Sequence, residues 1–363
     1  SLVWHPTVAG VVTSTTHENS VYMHSLEGKQ MVRRNVACES SSSINNASYD
    51  PVGSLLALGC RDNAIRIIDP RSPSSGDLRT PESTKVGRNL RVAWCSDSAG
   101  GAECLLSVSA QGTNRHVETW DPRKLDSPLS SLHVDSAAGQ LYPYYDQGMQ
   151  TAFVVGRGDT TLRTYELKFD NSVVTVAKSS EYNTTMAGQT WAGMAMLPKT
   201  TCNIASVQCA RMLKLSSGNM IVPLSFVLPR SDAQKGLFQD EIFPDIPTNR
   251  ADEARSTADF AAYLAGEKEA LDALAPRMLS LRPKGMTSSS EAEEERRSSS
   301  SGRPASTINT YRMARIREEQ EKAVKDDNFA KLQKLAEQRA LNHPNVSMGA
   351  EEVDSDDNWS DGD

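Results

Sequence analysis

The sequence has no Cys-x-x-Cys pair and no cluster of Cys and His at metal-ligand spacing. Its six cysteines, Cys38, Cys60, Cys95, Cys104, Cys202 and Cys209, are scattered through apolar runs. Zinc and iron–sulfur sites of the common spacings are thereby excluded, and buried free thiols are predicted. The GxSxG, P-loop and HExxH signatures are absent, and the six histidines stand apart from one another. Gly156-Arg157-Gly158-Asp159 reads as a turn rather than a phosphate cradle. These absences argue against catalysis, so a protein without enzymatic activity, metal or cofactor is expected. No apolar run reaches ~18 residues and there is no secretory leader, so no transmembrane segment is predicted and a cytoplasmic, reducing location is expected. A basic surplus is lacking too. With 39 Lys and Arg against 46 Asp and Glu the net charge is -7, which does not suit a nucleic-acid binder.

What is present divides the chain. At 363 residues it exceeds the ~100 to 200 usual for one domain. Up to about Leu281, apolar runs alternate with Gly, Pro, Asn and Asp, as in a folded body. From Lys284 onward aromatics nearly vanish and Ser, Glu and Arg take over, a composition that cannot bury a core of its own.

The folded part repeats one grammar, visible in the stretches that begin at His5, Tyr49, Val92 and Tyr142. Each has a turn, an apolar run such as Leu55-Leu56-Ala57-Leu58 or Ala152-Phe153-Val154-Val155, and a small polar turn such as Arg61-Asp62-Asn63. An alternating strand then follows, such as Ile65-Arg66-Ile67-Ile68, ending in Asp69, Asp121 or Glu166. A fifth unit runs from Met194 to Leu228. The continuous apolar run suits an inner strand buried on both faces, and the alternating one a strand with a single packed face. With one intact Trp-Asp pair, Trp120-Asp121, this reads as an all-β WD40 β-propeller of about five blades, within the roughly four to eight of known propellers. The chain is expected to open in mid-blade at Ser1-Leu2-Val3-Trp4. On the grammar alone, an all-β sandwich remains the alternative.

Four stretches resemble the coronins, WD-repeat regulators of actin filaments. They are Arg66-Ile67-Ile68-Asp69-Pro70-Arg71, the run from Leu141 to Leu167, the run from Ala192 to Leu215, and Phe238-Gln239-Asp240-Glu241-Ile242-Phe243-Pro244-Asp245. In coronins a segment similar to the last leaves the propeller and packs on its underside. The resemblance implies a seven-bladed type of propeller of which about two N-terminal blades are missing here, over residues 1–230, and a packed extension over 231–283. It also implies actin filaments as partner, although the basic actin-contacting residue of the family's first blade has no counterpart here. The end is similar to that of the long coronins, which carry two propellers in tandem. A coiled coil is not expected, because Gln320, Asp327 and Lys334 interrupt the seam that Met313 and Ile316 would begin, so a monomer is expected rather than a coiled-coil trimer.

Residues 284–307 read as a Ser/Glu/Arg linker whose serines near arginines suit phosphorylation, and 308–342 as an amphipathic helix. Residues 343–363 form an acidic tail, whose final thirteen residues hold seven acids and no base around Trp359. A tryptophan there has no core to join, so its burial energy of ~2 to 3 kcal/mol is available only to a partner. The order of helix, gap and acidic tryptophan segment is similar to the connector-acidic region by which nucleation-promoting factors bind the Arp2/3 complex. That resemblance implies Leu332, Leu335 and Arg339 as the connector contact and Trp359 as the anchor, with Asp356, Asp357 and Asp361 around it. A cytoskeletal location is implied. The long coronins are also associated with Golgi transport, so the alternative is a trafficking scaffold at the Golgi or a ubiquitin-ligase substrate adaptor.

Overall fold

The computed structural model describes residues 1–36, 43–72, 77–84, 86–97, 101–170, 173–183, 190–230, 234, 236–248, 256–266 and 277–292. Among these, strands pair with their sequence neighbours into five meandering antiparallel sheets. The first holds β1 (Leu2–Trp4), β2 (Val11–Thr15), β3 (Ser20–Ser25) and β4 (Gln30–Asn35). The second holds β5 (Ile44–Tyr49), β6 (Leu56–Cys60), β7 (Ile65–Ile68) and β8 (Leu78–Arg79), and the third β9 (Arg88–Ser96), β10 (Glu103–Gln111), β11 (Asn114–Trp120) and β12 (Ser130–Ser136). The fourth holds β13 (Leu141–Asp146), β14 (Thr151–Gly156), β15 (Thr161–Asp170) and β16 (Val173–Asn183). The fifth has three strands, β17 (Trp191–Met196), β18 (Gln208–Ser216) and β19 (Ile221–Val227). These are the five expected blades. The first is not cut in mid-blade, because Leu2–Trp4 pairs with β2 as the first of four strands.

Each blade turns between its second and third strands on a residue in the left-handed region: Asn19, Asn63, Gly112, Gly158 and Asn219, with φ of 57°, 59°, 64°, 87° and 58°. Asparagine and glycine are the residues that tolerate this backbone, which is why the small polar turns recur. The Asp-Pro-Arg ends are built alike. Asp69 Oδ1 accepts the Arg71 amide at 3.0 Å and Asp121 Oδ1 accepts that of Arg123 at 2.9 Å, and each arginine also places its guanidinium on the same carboxylate.

The continuous apolar runs are explained by the period of two along a strand. Leu56 and Leu58 join the core against the first blade, with Val21 and Val36, while Ala57 between them joins Val92, Trp94 and Leu105 of the third. Likewise Ala152 and Val154 face the third blade and Phe153 and Val155 the fifth. Both faces of a middle strand are therefore interfaces, as packed interiors demand.

Two strand assignments differ from expectation. The apolar runs form the second strand of each sheet, whereas β5 and β13, sequences INNASY and LYPYYD, are innermost and more polar. Polar residues stand there because neighbouring blades are joined by side-chain bonds: Asn46 Oδ1 accepts the Val92 amide at 2.9 Å and its Nδ2 donates to Val92 O at 2.7 Å, while Ser48 Oγ accepts the Trp94 amide. The alternating strand β7 is buried along its whole length, Arg66 included. Arg66 Nη1 donates to Asp62 Oδ1 at 2.8 Å, so the polar position of the alternation is neutralised rather than solvated.

Candidate functional site

The loops between first and second strands share one face of the propeller, and the chain beyond β19 returns across it. Phe238, Ile242 and Phe243 are buried with Val207 and Cys209 of the fifth blade, beside Met149 of the β13–β14 turn. The segment curls on itself, since the amides of Ile242 and Phe243 both donate to Gln239 O at 3.0 Å. Gly148 lets it approach: a Cβ there would lie 3.0 Å from Pro244 Cδ and 3.3 Å from Ile242 O. Lys199, on the loop after β17, donates through Nζ to both oxygens of Asp146, at 3.0 and 2.8 Å, and to Cys209 O at 2.7 Å, and lies 5.6 Å from the Phe243 ring centroid. One buried ion pair thus joins the fourth blade, the fifth blade and the exit segment.

The chain continues through β20 (Ile246–Thr248), helix α1 (Ser256–Ala265) and β21 (Arg277–Leu279), the last pairing back with β20. Phe260 and Tyr263, one helical turn apart, are buried against Val8, Val11 and Met23 of the first blade. Tyr263 Oη donates to Gly53 O at 2.8 Å. The same carbonyl receives His5 Nε2 at 3.1 Å, and His5 Nδ1 accepts the amides of Thr7 and Val8, so the proton resides on Nε2. Burial, with the nearby Arg71 adding to it, lowers the His5 pKa to about 4, which keeps the ring neutral. Gly53 has no substitute, because its φ is +80° and a Cβ would lie 2.3 Å from the His5 ring. The chain beyond β19 thus forms a strap touching the fifth, fourth and first blades. Helix α1 was not expected, although its alanines, the spacing of Phe260 and Tyr263 and the stop at Gly266 are signals of it. Residues 284–292, which composition assigns to the linker, return to the exit segment, where Phe238 and Ser288 form a bridge.

The first strands of the first four blades line a half-open cavity of about 360 Å³, with Arg91, Asn46, Trp94, Tyr142 and Tyr144 among its walls. The Arg91 guanidinium stacks over the Tyr142 ring, 4.2 Å from its centroid. Tyr144 Oη donates to Met194 O. The cavity offers the Arg91 guanidinium and aromatic faces, which suits polar or anionic side chains of a protein partner.

Five of the six cysteines, Cys60, Cys95, Cys104, Cys202 and Cys209, are free and buried as expected, while Cys38 lies outside the described residues. Among the described residues no group of three His, Cys, Asp or Glu could hold a metal ion, and no helix is long and apolar enough to cross a membrane. Leu332, Leu335, Arg339, Asp356, Asp357, Trp359 and Asp361, with the whole of 308–342 and 343–363, lie outside the described residues.

No family profile matches the chain. Human coronin-2A is 29% identical over 287 residues, which span 77% of this chain and 50% of that protein. Rat coronin-7 is 30% identical over 297 residues, 81% of this chain and 30% of coronin-7. The coronin-like protein crn1 of Schizosaccharomyces pombe is 27% identical over 251 residues, 68% of this chain and 38% of its own length. The chain thus spans half or less of the length of these relatives. Among solved structures, the WD40 domain of Toxoplasma gondii coronin superposes with a TM-score of 0.62 at 23% identity, covering 78% of this chain and 67% of that one, and has the same fold.

Proposed function

Because the chain belongs to the coronin family, we propose that it is a non-catalytic regulator of the actin cytoskeleton, with the propeller as binding platform and the C-terminal tail as recruiting arm. The observation that carries the reading is the exit segment Phe238–Asp245, the stretch most specific to coronins, anchored on the propeller by Phe238, Ile242, Phe243 and the Lys199–Asp146 pair. The proposed partners are actin filaments and the Arp2/3 complex, and the proposed place of action is the cytoplasm, at the cytoskeleton.

In the tail, Trp359 is the anchor, with Asp356, Asp357 and Asp361 steering it onto a basic groove and Leu332, Leu335 and Arg339 supplying a helical contact upstream. No actin-monomer-binding segment is recognisable ahead of it, so the tail binds the nucleator without delivering actin, which suits restraint or recruitment. The test uses the whole chain and its Trp359→Ala variant in pull-downs with purified Arp2/3 complex, alongside co-sedimentation with actin filaments. Capture by the parent chain and its loss in the variant are expected. Equal capture by both, or capture by neither, would sink the tail reading, and a chain left in the supernatant with filaments would sink the filament reading.

A further inference from the structure

Beyond the strap, three consecutive serines clasp the exit segment. Ser289 Oγ donates to Asp240 Oδ1 at 2.6 Å and Ser290 Oγ to Asp240 Oδ2 at 2.5 Å, and the Ser290 amide donates to Oδ1 at 3.3 Å. Ser289 Oγ also lies 3.2 Å from Glu241 Oε2. The backbone joins in, because the Phe238 amide donates to Thr287 O at 2.9 Å and the Ser289 amide to Phe238 O at 2.7 Å. Ser288 and Glu291 form a reciprocal capping box: the Glu291 amide donates to Ser288 Oγ and the Ser288 amide to Glu291 Oε2, both at 3.1 Å. Glu291 is in turn held by both Nη atoms of Arg282, at 2.8 and 2.7 Å.

The clasp depends on hydroxyl protons. Although burial opposes it, the Ser289 and Ser290 bonds hold Asp240 below the usual carboxylate range, so the acceptor is charged. Three carboxylates, Asp240, Glu241 and Glu291, face these hydroxyls, and the two cations among them are already committed, Arg282 to Glu291 and Arg230 to Glu241. Ser288 is buried at 4% exposure, whereas Ser290 is exposed. In sequence, Ser290 is followed by Glu291 and then by Glu293, Glu294 and Glu295, a row of acids that suits a basic substrate cleft.

We propose that Ser290, with Ser289 as its neighbour, is a phosphorylation site for an acidophilic protein kinase, and that modification unfastens residues 286–292 from the exit segment. In the reaction the kinase's base takes the Oγ proton and Oγ attacks the γ-phosphorus of ATP. The O–P bond forms as the bond to the β,γ-bridging oxygen breaks, and ADP leaves. The proton lost is the one that Ser290 donates to Asp240. A group carrying about -1.5 to -2 charges then stands against that carboxylate, with Arg282 occupied by Glu291.

The whole chain, treated with an acidophilic serine/threonine kinase and Mg-ATP, is expected to take up phosphate at Ser290 or Ser289 by peptide mass spectrometry, and to lose it in the Ser289→Ala/Ser290→Ala variant. Amide exchange at Phe238 and Ser289 is expected to accelerate about tenfold or more on modification. The Asp240→Ala variant, in which the clasp is already cut, is expected to be phosphorylated faster than the parent chain. Absence of phosphate at both serines, in the parent chain and in Asp240→Ala alike, overturns the proposal. So does modification with unchanged or slower exchange, which would mean that the phosphate takes Arg282 from Glu291 and tightens the clasp.

Discussion

Lys199 reaches from the fifth blade to Asp146 at the end of β13 in the fourth, its Nζ 2.8 Å from Oδ2, and both side chains are less than a tenth exposed. The ammonium also donates to Cys209 O, so its hydrogen-bonding capacity is spent entirely inside the fold. Lys199→Met removes the cation and leaves Asp146 buried with the Met149 amide on Oδ1 as its remaining donor here. A loss of about 3 to 5 kcal/mol is expected. Chemical denaturation checks this, and Lys199→Met/Asp146→Asn is expected to recover part of the loss, because no uncompensated charge remains.

Arg115 makes the contrasting case. It is 1% exposed and donates to Asp135, to Asp159 and to Gly139 O, joining the third and fourth blades. Arg163 contacts the same two acids, at 2.6 Å from Asp135 and 3.0 Å from Asp159. Arg115→Met is therefore expected to cost less than Lys199→Met, about 1 to 3 kcal/mol, with Arg115→Met/Arg163→Met losing more than the sum of the single variants. Equilibrium unfolding of the three variants decides it.

Gly148 tests the seating of the exit segment. A methyl group in Gly148→Ala would press on Pro244 and on Ile242 O, an overpacking cost of about 1 to 3 kcal/mol. The expected signature is local: faster amide exchange at Ile242 and Phe243, with the β10 amides of the third blade unchanged.

Glu103 sets a dependence on pH. Burial, reinforced by Asp50 and offset by the Trp94 Nε1 bond at 2.9 Å, raises its pKa from 4.5 to about 7. A raised pKa means that the folded state holds the proton more tightly than the unfolded one. Its stabilising contribution is complete below pH 4.5 and is lost as pH rises through 7. Glu103→Gln can still accept from Trp94 and does not titrate. The variant is expected to be more stable than the parent chain by about 1 to 3 kcal/mol at pH 8, with the gap closing towards pH 4.5. Thermal melts at the two pH values measure it, and a gap independent of pH would contradict the assignment.

The repeat was legible because its elements are local. An Asn or Gly at the second hairpin, an apolar run and an Asp-Pro-Arg end each follow from residues a few positions apart, and the blades recur where the sequence repeats them. The free thiols followed from the lack of any ligand or pairing pattern. Which strand lies innermost was not legible. Asn46 and Ser48 look like loop residues until the backbone of β9 stands beside them to be bonded. The alternation in β7 misled for a similar reason, since Arg66 signals a solvated face until Asp62, four residues away, turns it into a buried pair.

The sequence by itself determined a repeated β-blade, its turns, its exit segment and the place where composition ceases to support a core. These rest on backbone preference and short-range spacing, which a linear pattern records. Only the tertiary structure decided that the exit segment continues as a strap to the first blade, that Lys199 and Asp146 close one joint, and that Ser289 and Ser290 meet Asp240 from some fifty residues away. Those contacts join residues distant along the chain, and the energy of a desolvated ion pair or a shared carboxylate exists only once folding has brought both partners out of water.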